Sequence, residues 1–240
     1  MDPALTIYTI SFNEELILEF MIRHYRSRFP ACQIVVFDNE STDRTAAIAQ
    51  DNGCIVIPHK TNGKFYDSGQ IRVKNNCWKS ATTDWVLVCD TDELLDIDEH
   101  ELRRIESSTT IVRSIGYNMI NMRDDYDLDS MTHGSQCHLY SKNYLFNRIA
   151  ISEINYGAGA HASHPIGDVR PSAVAYPAYH YRCIHPERTF EKIQQIRARL
   201  SDENICKGWG TQYMRDVSLK RIRSQYATER AAATVVRVAR

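Results

Sequence analysis

Short apolar runs alternate with longer amphipathic segments through the first 96 residues. The runs are rich in β-branched residues, whereas the segments between them repeat apolar side chains at three- and four-residue spacing. Each alternation predicts a strand followed by a helix, and strands that are apolar at nearly every position are typical of a parallel sheet buried on both faces. The predicted strands are ALTIYTI, QIVVFD, CIVI and WVLVCD, and the helices between them begin near Asn13, near Ser41 to Asp43 and near Gln70.

After Asp96 the pattern is less regular. Helices are predicted for DEHELRRIES, capped by Asp98, for PERTFEKIQQIRARL, begun by Pro186, and for much of 211–237. Strands are predicted for TIVRSIGYNMINM, CHLYSK, RIAIS and AYPAYHYRC, and INYGAGAHASHPIGD is predicted as a loop or hairpin. We therefore expect one α/β domain over 1–240 with a mixed second half. Its halves are about 1–100 and about 101–200, and a basic helix lies in about 207–240.

Composition adds limits to this picture. The chain has 240 residues, 43% of them hydrophobic, and a formal net charge of −1, so it can fill a sizeable core and has no overall attraction for polyanions. Seven scattered cysteines without a C-x-x-C pair predict reduced, mostly buried thiols. No basic segment followed by a long apolar one opens the sequence, and no run of about 18 apolar residues occurs in it. We therefore expect a cytoplasmic protein without a membrane span.

Polar and acidic motifs follow the first, second and fourth predicted strands. They read SFNE, DNESTD and DTDE. Ligands of open parallel sheets bind outside the carboxyl ends of the strands, where such motifs converge. Asp90 and Asp92 could hold a hard divalent cation, which would relieve the repulsion between carboxylates at the mouth of a buried strand. Alternatively, Asp90 caps a turn and DELLD begins a helix, which needs no metal.

Three motifs together resemble a known family. In order and spacing, TIYTISFNEE, IVVFDNESTDRT and WVLVCDTDELL are similar to the nucleotide-binding half of GT-A-fold glycosyltransferases of the family-two-like superfamily. The branch most similar has Asn-Glu after the first strand and an Asp-x-Asp-Glu metal motif. The resemblance covers about residues 5–100 and resumes near YHYRCIHPERTFEKI, which is similar to His-Tyr and Phe-x-x-Lys segments of that branch.

The resemblance implies a GT-A, Rossmann-like fold and a metal-dependent glycosyltransferase. The donor would be a nucleotide-diphospho-sugar, with a UDP- or GDP-sugar expected first, and the cofactor Mn²⁺ or Mg²⁺. The acceptor hydroxyl would belong to a glycan, a lipid-linked molecule or a protein.

The resemblance also implies roles for single residues. Asp38 would accept a hydrogen bond from the base or ribose, Asp90 would contact the ribose or donor sugar, and Asp92 would bind the metal. His180 would be a further metal ligand, although a histidine in an aromatic strand is more often packed in a core. The implied donor-binding set is Ile10, Phe12, Asn13, Glu14, Asp38, Arg72, Asn75, Asp90 and Thr91, and the implied metal set is Asp90, Asp92 and His180. Capping of helices and turns is the alternative for Asn13 and Asp38.

Inversion at the anomeric carbon would also require a carboxylate that takes the proton of the acceptor hydroxyl. Glu153 is the first candidate because it follows the apolar run RIAIS, and Asp168, Asp125 and Asp124 are the others. Each of these acids could equally be a surface charge. His161 and His164 in the Gly-rich segment could bind metal, phosphate or acceptor, or lie in an exposed loop.

Two other functions stay open. A nucleotidyltransferase acting on a sugar phosphate normally has a Gly-rich, basic loop after its first strand, whereas SFNEE is acidic. A non-catalytic module that binds sugar or a partner could keep the same fold. Residues 207–240 contain eight Lys or Arg and two acids, so the last helix could contact an anionic membrane peripherally or form a solvated face. No motif predicts binding to nucleic acid.

Overall fold

Ten strands form one sheet in the computed structural model, which describes residues 5–214 and 217–237. The strands of the described ranges are β1 (Leu5–Ser11), β2 (Gln33–Asp38), β3 (Ile55–Pro58), β4 (Trp85–Asp90), β5 (Glu93–Leu95), β6 (Ile111–Ile120), β7 (His133–Gln136), β8 (Leu145–Asn147), β9 (Ile151–Glu153), β10 (Ile166–Gly167), β11 (Pro171–Cys183) and β12 (Thr234–Val235). The α-helices are α1 (Leu18–Arg28), α2 (Thr45–Asp51), α3 (Asp67–Asn76), α4 (Glu99–Ile105), α5 (Pro186–Arg199), α6 (Asp202–Cys206), α7 (Thr211–Met214) and α8 (Leu219–Ala232). Short 3₁₀ helices span Cys77–Ser80, His138–Tyr140 and Ala158–Ala160.

The sheet is parallel in its first half and mixed in its second. Its main order is β3-β2-β1-β4-β8-β6-β7-β12, and β1 pairs in parallel with both β2 and β4. Strand β8 runs antiparallel to β4 and β6, while β11 is parallel to β6 and antiparallel to β5. β9 and β10 form a separate hairpin. The predicted α/β class with a mainly parallel central sheet and a mixed second half is confirmed.

Strand β4 shows why the apolar runs form the centre of the sheet. Its side chains alternate between two cores, with Leu87 and Cys89 on the face covered by α1 and Val86 and Val88 on the face covered by the turn of Trp78. All of these side chains are buried. Each alternate position therefore buries apolar area on one of two faces, and the strand delivers its carboxyl end to the edge of both cores.

Several helix boundaries follow the predicted signals. Asp98 accepts a hydrogen bond from the Glu101 amide at the start of α4, and Pro186 is the first residue of α5. Asp43 accepts the Thr45 amide at the start of α2. Gly53 has a φ of +65° just after that helix, a conformation that costs glycine little.

Four predicted elements are wrong or incomplete. DELLD is not a helix, because Glu93–Leu95 pairs antiparallel with β11 and so buries its leucines. CHLYSK is not a strand, since the chain turns at His138–Tyr140 under the hydrogen bond from the Cys137 amide to the Gly116 carbonyl. α1 begins at Leu18 rather than near Asn13. The last predicted helix is divided into α7, α8 and the strand β12.

The cysteine prediction is partly wrong. Six cysteines whose side chains are described are free thiols, as expected, but among these Cys89 alone is buried and Cys206 is exposed. None of the helices in the described ranges is both long and apolar enough to cross a membrane.

Gly116 fixes the turn that carries part of the site. A Cβ there would collide with the backbone of Tyr140 and lie 2.7 Å from the Cys137 carbonyl oxygen. We expect Gly116→Ala to lower the free energy of unfolding by about 1–3 kcal/mol, the usual cost of overpacking. Gly157→Ala is the matched control, because its Cβ would meet nothing closer than 3.9 Å and its φ is −85°. Urea denaturation of both variants tests this, and equal stability would contradict it.

Candidate functional site

A cavity of about 430 Å³ opens at the carboxyl ends of β1 and β4. The ends of these two strands form part of its walls. The other walls come from α3, the turn after β7, the Ala158–Ala160 helix, β11 and α5, and the segment around Trp209 lies at one side. The parallel pairing of Ile10 with Asp90 brings the first and fourth strand ends level, so the SFNE and DTDE motifs meet here. The predicted convergence of these two motifs is present in the structure.

Asp90 belongs to an ion-pair network with two buried lysines. Its Oδ1 lies 2.6 Å from Lys74 Nζ, and its Oδ2 lies 3.6 Å from Lys142 Nζ. Lys142 also contacts Glu93 Oε1 at 2.6 Å and donates to the Gly159 carbonyl at 2.8 Å. Burial alone raises the pKa of Asp90, but the two lysines outweigh burial and hold that pKa below its ordinary value. Both oxygens of Asp90 therefore face ammonium groups.

Asp92 belongs to a second network. Its Oδ2 lies 3.0 Å from Lys192 Nζ and 3.6 Å from His180 Nε2, and Lys192 also contacts Glu14 Oε1 at 2.7 Å. Burial alone raises the pKa of Asp92, but Lys192 and His180 outweigh it and hold that pKa well below its usual range. Burial raises the pKa of Glu14 despite the neighbouring Lys192. Asp92 is thus ionised at neutral pH, with the Lys192 ammonium group beside its charge.

His180 is oriented by its other ring nitrogen. Nδ1 lies 2.8 Å from Asn118 Oδ1, and the ring stacks on Tyr140 with a centroid distance of 3.8 Å. Because an amide oxygen only accepts, Nδ1 carries a hydrogen, so Nε2 is the ring nitrogen that can offer a lone pair on the side of Asp92. Two acceptors that face each other across 3.6 Å require a proton or a cation between them. The pair therefore has the donor atoms, an imidazole nitrogen and a carboxylate oxygen, that divalent ions bind.

The other end of the cavity is aromatic. The Arg199 guanidinium stacks 3.4 Å above the centroid of the Phe12 ring and donates to the backbone and side-chain oxygens of Asn39. Phe65 and Trp209 also line this end. Planar groups held in this way offer a stacking surface, which suits a nucleobase.

The predicted donor-binding residues divide into two groups. The residues that line the cavity are Ile10, Phe12, Glu14, Asp90 and Thr91, together with the metal candidates Asp92 and His180. Thr91 is buried, and its hydroxyl lies 2.7 Å from that of Ser11.

The second group, Asn13, Asp38, Arg72 and Asn75, lies outside the cavity lining. Asn13 has a φ of +52° and exchanges hydrogen bonds with Thr42, so it joins two loops instead of capping α1. Asp38 accepts a hydrogen bond from the Ser41 amide at 3.4 Å. The side-chain amide of Asn75 donates to the Tyr156 carbonyl and accepts a hydrogen bond from the Tyr156 backbone amide.

The predicted proton acceptors lie away from the cavity lining as well. Glu153 contacts Lys79 at 2.6 Å, and Asp168 contacts Arg170 at 3.1 Å. Asp125 accepts the amide of Asp127 in an exposed loop. The Asp124 carboxylate contacts Arg230 at 3.0 Å and is 85% exposed. The structure does not bring any of these four acids to the DTDE motif, because β9, β10 and the loop after β6 leave the main sheet before they reach it.

The two histidines of the Gly-rich segment differ in position. His161 lines the cavity, with Nδ1 2.9 Å from the Leu139 carbonyl and its ring edge-on to Tyr140. His164 lies outside the lining.

Sequence reasoning missed Lys142, Lys192, Glu93 and Arg199. Lys192 stands in YHYRCIHPERTFEKI, the segment where the resemblance resumes without giving this lysine a role, so a signal existed. Glu93 is 3% exposed, its Oε2 makes no hydrogen bond to the residues that the structure describes, and its alternative interpretation was the start of a helix that does not form. For Lys142 the sequence shows only a basic residue at the end of CHLYSK, a segment predicted as a strand.

The three predicted metal ligands do not form one group. Within residues 5–214 and 217–237 no group of three or more His, Cys, Asp or Glu side chains is close enough to hold an ion. Asp92 and His180 remain together, whereas Asp90 is turned to Lys74 and Lys142.

Comparison with known proteins identifies the family of the chain. Residues 6–147, more than half of the chain, match the profile of glycosyl transferase family 2. The chain belongs to this family. A curated relative, protein RfbJ of Shigella flexneri, is 31% identical over 87 residues, which cover 35% of this chain and 61% of RfbJ. The match thus spans less than two thirds of that relative.

Solved structures also match the chain, at low sequence identity. S. aureus TarS 1-349 is 14% identical with a TM-score of 0.45, and the match covers 96% of this chain and 71% of that one. The mannosyltransferase PcManGT from Pyrobaculum calidifontis, in complex with GDP-Man and Mn²⁺, is 14% identical with a TM-score of 0.46, covering 97% of this chain and 74% of that one.

Proposed function

We propose that the chain is a metal-dependent glycosyltransferase that moves a sugar from a nucleotide-diphospho-sugar to an acceptor hydroxyl. The observation that carries the proposal is the pair of Asp92 and His180. They come from opposite halves of the chain and meet in a cavity at the carboxyl ends of the sheet, with His180 Nε2 3.6 Å from the Asp92 carboxylate. Membership of glycosyl transferase family 2 supports the same reaction class.

The residues present fit a divalent ion such as Mn²⁺ or Mg²⁺. Asp92 and His180 would hold it, and diphosphate oxygens would supply further ligands. Asp90 is not included, because Lys74 and Lys142 face its two oxygens. When bound, the ion would neutralise negative charge that develops on the diphosphate.

The donor would lie along the cavity from its aromatic end to the DTDE motif. Phe12 and Arg199 would stack against the base, as a UDP- or GDP-sugar requires, and the diphosphate would lie beside Asp92 and Lys192. The sugar would then be near Lys142 and His161.

The reaction itself exchanges one bond to the anomeric carbon for another. The bond from that carbon to the β-phosphate oxygen breaks and leaves its electron pair on the oxygen, while the acceptor oxygen bonds to the carbon and gives up its proton to a base. Glu153, Asp168 and Asp125 stay predictions for that base. Inversion at the anomeric carbon and the choice among glycan, lipid-linked and protein acceptors also stay predictions.

Peripheral membrane contact through α8 and a cytoplasmic location also stay proposals. Two of the basic residues of this helix are engaged within the chain, since Arg223 contacts Glu187 and Arg230 contacts Asp124. The remaining basic residues of the helix, Lys220 and Arg221, are exposed and could face an anionic surface.

Ligand-induced stabilisation tests the proposed function. We expect one of UDP, GDP or their sugar conjugates, with Mn²⁺, to raise the melting temperature, because a ligand at 100 times its Kd stabilises the folded state by about 2.7 kcal/mol. The same nucleotide in EDTA should give a much smaller rise. The measurement is a thermal-shift panel with and without Mn²⁺, followed by an assay of diphosphate release from the donor that binds.

Absence of stabilisation by every nucleotide in the panel would contradict the proposal. Binding without diphosphate release in the presence of a glycan extract would favour the non-catalytic module. Formation of a nucleotide sugar from a nucleoside triphosphate and a sugar phosphate would favour the nucleotidyltransferase.

A further inference from the structure

Three lysines line the cavity around the DTDE motif, and they differ in exposure. The side chains of Lys74 and Lys142 are 6% and 2% exposed, whereas that of Lys192 is 33% exposed. Lys142 is held from several directions, since its Nζ contacts Glu93 at 2.6 Å and the Gly159 carbonyl at 2.8 Å. Of these three lysines, Lys192 therefore has the side chain that is most accessible to a ligand in the cavity.

Helix α5 presents Lys192 to the cavity. Gln195, Ile196 and Arg199 follow it at helical spacing and line the same cavity, so one stripe of the helix runs from the DTDE motif to the aromatic end. Glu14, in the loop after β1, holds Lys192 Nζ at 2.7 Å. The ammonium group therefore keeps one fixed partner that is independent of Asp92.

Lys192 and His180 approach the same carboxylate oxygen. Asp92 Oδ2 lies 3.0 Å from Lys192 Nζ and 3.6 Å from His180 Nε2. An ion held by Asp92 and His180 would have a like charge beside it, and repulsion between charges is strong where burial reduces screening by solvent. Lys192 and a divalent ion must therefore compete for Asp92.

Resting on the glycosyltransferase function above, we propose that Lys192 has two successive partners. In the free protein its ammonium group neutralises Asp92 and weakens metal binding. In the donor complex Glu14 retains the ammonium group, and the N–H released from Asp92 donates to the β-phosphate oxygen that receives the electron pair of the broken sugar bond. Lys192 is then a catalytic residue for departure of the diphosphate and also a competitor of the metal.

Lys192→Gln separates these effects because they have opposite signs. Mn²⁺ binding to the protein without nucleotide, measured by titration calorimetry, should tighten about tenfold because a like charge is removed. The kcat at saturating Mn²⁺ and donor should fall about 100-fold, which is the loss typical of removing one donor to a developing charge. A side chain with only a structural role would not tighten metal binding.

Lys192→Arg and Lys220→Gln are the controls. Arginine keeps the charge, so Mn²⁺ affinity should stay near the wild-type value, and loss of Lys220, which is exposed on α8, should change neither quantity. Unchanged or weaker Mn²⁺ binding in Lys192→Gln overturns the competition. An unchanged kcat in that variant overturns the role at the diphosphate.

The folding of Lys192→Gln is measured in the same series. The variant leaves Glu14 and Asp92 without their shared cation, so it should melt at a lower temperature in EDTA and recover when Mn²⁺ is added. Failure of Mn²⁺ to restore stability also overturns the competition. A wild-type protein that neither binds Mn²⁺ nor turns over any donor would refute the proposed function, whereas wild-type turnover with an unaffected Lys192→Gln refutes this inference alone.

Discussion

Asp92→Asn should lower the rate of sugar transfer by about 10³, the loss expected when one group that organises charge stabilisation at the leaving oxygen is removed. The amide is nearly the same size as the carboxylate but cannot supply the anionic oxygen that faces His180 at 3.6 Å. The residual rate should no longer respond to Mn²⁺. The measurement is diphosphate release as a function of Mn²⁺ concentration, for the wild type and the variant.

Asp129→Asn is a matched control for this change. Asp129 forms an exposed ion pair with Arg23, with side chains 58% and 59% exposed, and such pairs contribute about 0–1 kcal/mol. The transfer rate of Asp129→Asn and its dependence on Mn²⁺ should therefore equal those of the wild type. An Asp92→Asn protein that is folded and still activated by Mn²⁺ would show that the ion binds elsewhere.

The variants at Asp92 and Lys192 should change metal binding in opposite directions. Asp92→Asn removes a ligand of the ion, whereas Lys192→Gln removes its competitor. Both should reduce kcat. If the two side chains only supported the fold, the two variants would not change the metal affinity in opposite directions.

The first half of the fold and one wall of the site could be predicted from the sequence. β1 and β4 are apolar at nearly every position because both faces of the central sheet are covered, and this local signal leads directly to the motifs at their ends. Asp92 lies where the pattern placed it. The signal weakens at β3, an edge strand, where Ile55 and Ile57 are 43% and 38% exposed despite their apolar run.

The remaining walls could not be predicted because they depend on pairing between distant segments. Glu93 belongs to a strand only because β11 pairs with it, and without that partner DELLD has the composition of a helix start. Lys142 faces Glu93 because the chain turns after β7 instead of continuing as a strand. Glu153 and Asp168, two of the predicted bases, lie away from the cavity for a similar reason, because β9 and β10 form a hairpin separate from the main sheet.

Lys142→Met should give the largest loss of stability. The lysine side chain is 2% exposed and contacts Glu93, which is 3% exposed and already has one oxygen without a partner. Methionine preserves the apolar stem but leaves the carboxylate buried without its cation. Breaking one side of a buried ion pair costs about 3–5 kcal/mol, so we expect a loss of that size in the free energy of unfolding, measured by urea denaturation.

Two further variants decide whether charge is the cause. Lys79→Met removes an exposed pair with Glu153, whose side chains are 38% and 41% exposed, and should cost less than about 1 kcal/mol. Adding Glu93→Gln to Lys142→Met should recover part of the lost stability, because the uncompensated charge is then absent. If the double variant is as unstable as the sum of its single changes, the loss arises from the Gly159 contact and from packing, and the ion pair between Lys142 and Glu93 contributes little.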